Sequence, residues 1–350
     1  MSDIQNRLQQ AKRSFVTRHA DLSRCAQLIS GLPLSEGDLV LAKVSRRRQH
    51  TRIELVNGRR AHLYPGDELI LCAGRRYATD QFAAELPDSH EAHLIAAGGI
   101  AGREIQRHAQ VKPATEITII GALSDSSGTP LNLKQFASLP PLVPISSSAG
   151  PKTLLVTGTG MNSGKTTLAA NLIHSLSRGG PRVMACKLTG TGSGPDLWRF
   201  LDAGAASAVD FTDAGLASTW QHPVTELVTM AQRFKALAHH EHHDYLIIEL
   251  ADGFFQQETS AVIESACFRK LIDSCFIAAD CTPGAILLAQ ALSRLGISIR
   301  GISGTLTRSP LLMDEVAGAT GLPVLTSDQM LSFATLNHYL GSLGLQEKAL

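Results

Sequence analysis

The sequence predicts an α/β protein in which a mainly parallel sheet flanked by helices follows a small β-rich domain. Three observations carry this reading. Beyond residue 152, apolar strand-like runs alternate with helix-length amphipathic segments, the pattern of a parallel sheet covered on both faces. Before residue 138, short β-branched and apolar segments recur between turn signals. Between the two lies SLPPLVPISSSAGPK (138–152), whose four prolines leave few residues able to join a helix or a sheet interior. The expected division is therefore a domain at 1–137, a linker at 138–152 and a second domain at 153–350.

Taken in order, the first 30 or so residues read as helical, with Leu8, Ala11, Phe15 and His19 about one turn apart. Strand candidates follow at 38–44, 51–56, 60–64, 68–72, 93–97 and 116–123, divided by Asn57-Gly58, Pro65-Gly66 and Ser127-Gly128. Many short strands of this kind suit a small barrel or sandwich. Arg46-Arg47-Arg48, Arg59-Arg60 and Arg75-Arg76 read as solvated basic faces. The glycine-rich stretch 96–102 has the composition of a backbone anion nest or of a plain turn.

In the second half, strands are expected at 153–157, 182–187, 245–250, 275–279, 297–306 and 323–326. Helices are expected at 165–178, 223–240, 257–271, 284–295, 311–319 and 328–343.

Composition sets the outer bounds. With 350 residues, 44% hydrophobic and 18% charged, the chain is long enough for two domains and too apolar to be disordered. No run reaches the roughly 18 uncharged apolar residues of a membrane span. The opening MSDIQNRLQQAKRSF lacks an apolar export segment, so a cytoplasmic address is expected. The six cysteines show neither a CxxC pair nor zinc-like spacing. Residues 1–150 hold 18 Lys and Arg against 14 Asp and Glu, and the remainder 14 against 17. A split that small predicts neither a nucleic-acid nor a membrane partner.

The strongest motif is T153-L-L-V-T-G-T-G-M-N-S-G-K-T-T-L168. A buried strand runs into Gly158, Thr159, Gly160, Met161, Asn162, Ser163 and Gly164, then into Lys165, Thr166 and Thr167 at the start of an amphipathic helix. Glycines let backbone N–H groups close around phosphate oxygens, and the helix N-terminus adds its positive end. Lys165 has the reach for the β/γ oxygens, and Thr166 offers a hydroxyl to Mg²⁺. The general motif wants glycine six residues before the lysine. Thr159 stands there, between two glycines.

This off-register form, Gly158-Thr159 through Thr166, resembles the loop of dethiobiotin synthetase and its relatives, P-loop NTPases of the SIMIBI class. The resemblance covers about residues 152–330. It extends to Lys187 and Thr189, which occupy the places of the family's second-strand lysine and following turn, and to Glu249 at the end of YLIIELADG, in the place of an acid that helps hold Mg²⁺. It implies ATP and Mg²⁺ as cofactors. It also implies a homodimer, since relatives build sites near a two-fold interface. The family's aspartate beyond the lysine sits farther along than Asp196 does here. The second lysine that acts across dimers of MinD-type relatives is absent, with Thr159 in its place.

Around this loop, Lys187 ends a buried strand where open parallel sheets place ligands, or else caps it as a surface lysine. Glu249 and, as a competitor, Asp252 are the carboxylates placed to hold a hard cation, with Asp196 a third candidate. Thr189, Thr191 and Ser193, in a glycine-rich run, are candidates for substrate contact, and 210–219 is a second such loop or a capped helix start. The His239–His243 cluster suits either a transition metal or the C-terminal end of a helix dipole. The segment 304–310 lacks the Asn-Lys-x-Asp of guanine readers, which favours ATP.

These residues fit an ATP- and Mg²⁺-dependent ligase in which Lys165 and Lys187 flank the transferred phosphoryl group. A small carboxylate or carbamate would be activated for attack by nitrogen, so the expected partner is a small carboxylate or amine. The alternative is a P-loop ATPase acting as a nucleotide-dependent switch or metallochaperone for a protein partner.

Overall fold

The computed structural model describes residues 3–88, 90–142 and 150–340. The chain divides into two compact units that do not follow the chain in blocks. One contains the described residues through Leu139 together with Gly190–Pro195 and Phe211–Gln221; the other contains Pro140–Thr189, Asp196–Asp210 and the residues from His222 onward. Two segments expected in the second domain therefore belong to the first unit. Of the expected linker, 143–149 lie outside the described residues. Its first two residues are fixed, because Ser138 N–H and Leu139 N–H donate to Asp213 O at 2.8 and 3.0 Å.

The first unit begins with α1 (Asp3–Gln10), far shorter than the helix expected over 30 residues. The helix stops because β1 (Lys12–Arg13) pairs in parallel with Leu69 and Ile70, and Phe15 is buried in a 3₁₀ turn. Sheet pairing here overrides a helical period. The strands that follow are β2 (Gln27–Ile29), β3 (Leu39–Arg46), β4 (Arg52–Glu54), β5 (Arg60–His62), β6 (Glu68–Ala73), β7 (Arg76–Tyr77), β8 (Phe82–Glu85), β9 (Glu91–Ala96), β10 (Ile100–Arg107) and β11 (Thr115–Ser124).

Strands β6, β3, β11, β9 and β10 pair in that order, and β10 returns to β6 through Ile100–Cys72 and Ala101–Ala73. The ring closes, so of barrel and sandwich the unit is a barrel, which leaves those five strands no open edge. Alternate residues point inward, and Val40, Ala42, Val44, Leu69, Leu71, Leu94, Ala101, Ile117 and Ile119 form one buried cluster. The β4–β5 hairpin turns at Asn57-Gly58 and adds Ile53, Ala61 and Leu63 to that cluster. The stretch 96–102 is the tight β9–β10 connection followed by the start of β10, with Gly99 N–H bonded to Ala96 O.

The second unit is a six-stranded parallel sheet. Its strands are β12 (Lys152–Gly158), β13 (Val183–Lys187), β14 (Ser207–Asp210), β15 (Tyr245–Glu249), β16 (Ser274–Ala278) and β17 (Ile299–Ser303). They lie in the order β14-β13-β15-β12-β16-β17. The helices are α2 (Lys165–Arg178), α3 (Pro195–Asp202), α4 (Val224–His240), α5 (Gln257–Glu264), α6 (Ala266–Arg269), α7 (Thr282–Arg294), α8 (Pro310–Thr320), α9 (Ser327–Leu331) and α10 (Phe333–Leu340). Leu168, Leu172 and Leu176 of α2 pack with Leu154, Val156, Ile247, Phe276, Met330 and Leu336 on one side of the sheet. The alternate residues Leu155, Leu246, Ile248 and Ile277 face the other side and are buried too.

The parallel sheet and its helices match the expected architecture. Strand β14 and helix α3 were not foreseen, because α3 begins inside the glycine-rich run and β14 is only 4 residues long. The run 297–306 shortens to β17 and a 3₁₀ turn, and 323–326 makes only an isolated bridge between Val324 and Ile302. Among the described residues no helix is long and apolar enough to cross a membrane.

Candidate functional site

Strand β12 lies inside the sheet and delivers its C-terminal end to the loop 158–164. The loop needs its glycines. A Cβ on Gly158 would stand 2.6 Å from both Ala278 O and Ser163 Oγ, and Gly164 caps α2 at φ 103°, a left-handed backbone that disfavours side chains. Thr159, in the place of the usual glycine, is held by the next strand: its N–H donates to Ala278 O at 3.0 Å and its hydroxyl to Asp280 Oδ1 at 2.8 Å. Lys165 Nζ spans the loop to Gly160 O at 2.5 Å and to Asp252 O at 3.3 Å. The ammonium is thereby fixed over the cradle of loop amides and the α2 N-terminus, where a polyphosphate would sit.

Sheet register assembles the charged groups. Lys187 and Glu249 are paired neighbours at the ends of β13 and β15, and Glu249 is also level with Val156 of β12. Thr166 Oγ1 donates to Glu249 Oε1 at 3.1 Å. Asp196, in the first turn of α3, forms an ion pair with Lys187 and also accepts from Thr166. Asp196 therefore joins Thr166 and Glu249, although its spacing in the sequence falls short of the family pattern. The helix α3 supplies what the spacing lacked.

The electrostatics follow from burial. Desolvation, reinforced by the charge of Asp196, pushes the Glu249 carboxyl up to about 7. Burial also opposes charge on Lys187, yet Asp196 and Glu249 outweigh it and hold its ammonium above the ordinary lysine value. The Asp196 carboxyl is desolvated as well, and Lys187 nonetheless keeps it below the ordinary range. Lys165 is lowered by burial, with Glu249 and Asp252 opposing that shift.

The residues fit a hard divalent cation. Glu249 Oε2 is buried with no hydrogen-bond partner among the described residues, next to a hydroxyl and a second carboxylate. All are the oxygen donors Mg²⁺ takes. Asp252 presents its carbonyl to Lys165 from a left-handed backbone at φ 70°.

The candidate substrate hydroxyls separate. Thr189 accepts from Ala251 N–H at 2.9 Å and so ties the end of β13 to the end of β15. Thr191 bridges Ser218, and Ser193 donates to the buried Glu54 at 3.4 Å, both within the first unit. Two of the three are thus structural members of the β unit. Of the loop 210–219, all but Asp210 goes the same way: Asp213 accepts from Arg18 at 2.6 Å and lies 2.7 Å from His19 Nε2.

The histidine cluster does not converge. His243 is buried against Ser207 and Glu241, 3.1 and 2.9 Å away, and His239 and His240 end α4. Among the described residues no group of three or more His, Cys, Asp or Glu is arranged to hold a metal. A cavity of about 100 Å³ lies beside the α2 N-terminus, lined by Gly164, Thr167, Ser303, Gly304, Thr307 and Arg308.

No family model and no curated protein matches the sequence. Several solved structures are similar over part of the chain. The kinase domain of Escherichia coli tyrosine kinase ETK shares 16% identity over 45% of this chain and 68% of its own, with a TM-score of 0.35. The signal recognition particle 54 kDa protein from Aeropyrum pernix K1, solved with GDP, shares 18% over 60% of this chain and 50% of its own, at 0.35. A ParA family ATPase from Chlorobium tepidum TLS shares 15% over 55% of this chain and 92% of its own, at 0.32. This chain spans half the length of the signal recognition particle protein. The second unit is built like a P-loop unit, with parallel strands, glycine loop, lysine and helix in sequence.

Proposed function

We propose that the protein is an ATP- and Mg²⁺-dependent phosphoryl-transfer enzyme that activates a small carboxylate or carbamate for attack by nitrogen. The observation that carries this reading is the pairing of Lys187 with Asp196, one strand from the phosphate loop and beside Glu249. A loop that only bound and released nucleotide has no need of a second, largely enclosed lysine at the strand end.

The β/γ-phosphates would lie on the amides of residues 160–167 with Lys165 across them. Lys187 would stand on the acceptor side, where charge spreads over the transferred group as it leaves ADP. Thr166, Glu249 and Asp196 would hold Mg²⁺, which supplies charge neutralisation of the phosphate oxygens. The acceptor carboxylate needs no protein nucleophile, because its own oxygen attacks phosphorus. Positioning and electrostatics then suffice. ATP is preferred to GTP because the turn 304–310 offers no aspartate to a guanine edge.

The test is ATP turnover measured against a panel of small mono- and dicarboxylates, amino acids and diamines. Stimulation of ADP release by a carboxylate, with hydroxylamine trapping the acyl phosphate, is the expected outcome. ATP turnover that no acceptor stimulates rules the ligase out and leaves a nucleotide-driven switch.

A further inference from the structure

The near-neutral charge of the chain conceals one strongly polarised surface, on the barrel. Between Lys43 and Gly66 the sequence carries seven Lys and Arg and a single acid, Glu54. Glu54 is buried and accepts from Gly194 N–H at 2.9 Å, so its charge is turned inward. Arg46, Arg47, Arg52, Arg59 and Arg60 are all exposed, and among the described residues none of them has an ion pair. Other arginines of this unit do pair, Arg7 with Glu68, Arg48 with Glu116 and Arg103 with Glu85.

Register and one side-chain contact bring Arg47, Arg52 and Arg60 to the hairpin, while Arg46 lies opposite Glu116 on β11. Arg52 lies opposite His62 and Glu54 opposite Arg60 across the β4–β5 hairpin, while Arg47 reaches Leu63 O at 3.3 Å. At the base of the hairpin stands Tyr64, 59% exposed. Its ring lies 5.9 Å from the Arg47 guanidinium and 5.7 Å from Lys12 Nζ. Lys12 is itself neutralised by Asp67.

We infer that this hairpin face is a binding surface for single-stranded nucleic acid. Unpaired guanidiniums recruit a chain of phosphates through counterion release, and an exposed ring among cations offers a platform on which a base stacks. The ring favours a single strand over a duplex, whose bases are stacked on one another. It also distinguishes a nucleic acid from a plain polyanion, which has nothing to stack. The inference departs from the expectation drawn from charge balance, because counting charges over half the chain averages five unpaired arginines away. It concerns the first unit and does not depend on the ligase reading.

The experiment is fluorescence anisotropy of the whole chain with a labelled oligothymidylate, from about 50 to about 300 mM salt. Five phosphate contacts predict a slope of log affinity against log salt of about −3.5. The double variant Arg52→Ala/Arg60→Ala is expected to bind more weakly with a slope shallower by about 1.4. Tyr64→Ala should weaken binding about fivefold or more with the slope retained, and Tyr64→Phe should restore it. Absence of binding at the lowest salt, or affinity unchanged in the arginine variant, overturns the proposal. So does equal or tighter binding to inorganic polyphosphate, to a duplex of the same length or to anionic vesicles, combined with no effect of Tyr64→Ala.

Discussion

Thr166 Oγ1 donates to Glu249 Oε1 and leaves Glu249 Oε2 buried without a hydrogen-bond partner among the described residues. A buried carboxylate oxygen left open beside a phosphate loop is costly to fold around unless a cation completes it. Glu249→Gln should therefore weaken Mg²⁺-nucleotide binding by about tenfold or more while leaving metal-free nucleotide binding unchanged, as titration with and without a chelator would show. The variant has a second signature. The folded carboxyl titrates near 7, above its ordinary value, so the fold retains a proton that the unfolded chain loses. Stability contributed at low pH is then lost as pH rises from about 4.5 to about 7. Without metal, the thermal midpoint of Glu249→Gln should exceed that of the native chain at pH 8, and the gap should close at pH 5.

Lys187→Ala should abolish turnover while leaving nucleotide binding within about tenfold, or roughly 1.4 kcal/mol, of the native value. Lys165→Ala, which removes the ammonium held over the loop, should weaken nucleotide binding itself. Isothermal titration of both variants checks the assignment, and equal losses of binding would contradict the two roles.

Gly98 approaches Gly192 so closely that a Cβ would stand 2.0 Å from Gly192 O. Backbone cannot yield as a flexible side chain does, so Gly98→Ala should destabilise the barrel unit by roughly 2–4 kcal/mol. Gly31 supplies the control: its φ is +76° but nothing lies within 4 Å of an added Cβ, so Gly31→Ala should cost only about 1 kcal/mol. Denaturant midpoints compare the two.

His50 is half-buried against Phe82 and bonds Leu94 O at 2.9 Å. Burial, with the nearby charge of Arg76, lowers its imidazole to about 4. The folded unit thus keeps His50 neutral while the unfolded chain protonates it. This contribution is complete above about pH 6.5 and is lost as pH falls toward 4, to a total of about 3 kcal/mol. His50→Gln should flatten that part of the pH profile. Urea unfolding of the two proteins at pH 7 and 4.5 gives the difference directly, and parallel profiles would refute it.

Much of the second unit was legible in the sequence because its signals are local. A buried strand, a glycine loop and α2 adjoin one another, and 165–178 is bounded as the helix period predicted. Lys187 and Glu249 were legible for the same reason: each ends an apolar run. Asp196 was harder, because only the fold of α3 brings it back to Thr166. The short strands β1, β2, β7 and β8 left no readable period. They are two to four residues long and exist through partners distant in sequence. For Thr191 and Ser193 the glycine-rich run could not show the partners, because Thr191 bridges Ser218 downstream and Ser193 meets Glu54, 139 residues upstream.

The barrel unit is completed by Gly190–Pro195 and Phe211–Gln221, and this bears on how the protein is made. A ribosome that has passed the proline-rich stretch has not yet delivered a finished first unit. Ser193 and Gly194, which satisfy Glu54, and Asp213, which receives Arg18, are still to be translated. Those pieces arrive only after β12, α2 and β13 have emerged. The nascent barrel must therefore wait for these partners of Glu54 and Arg18 while the parallel-sheet unit begins to form. A gene cut at the apparent linker would freeze the chain in that unfinished state.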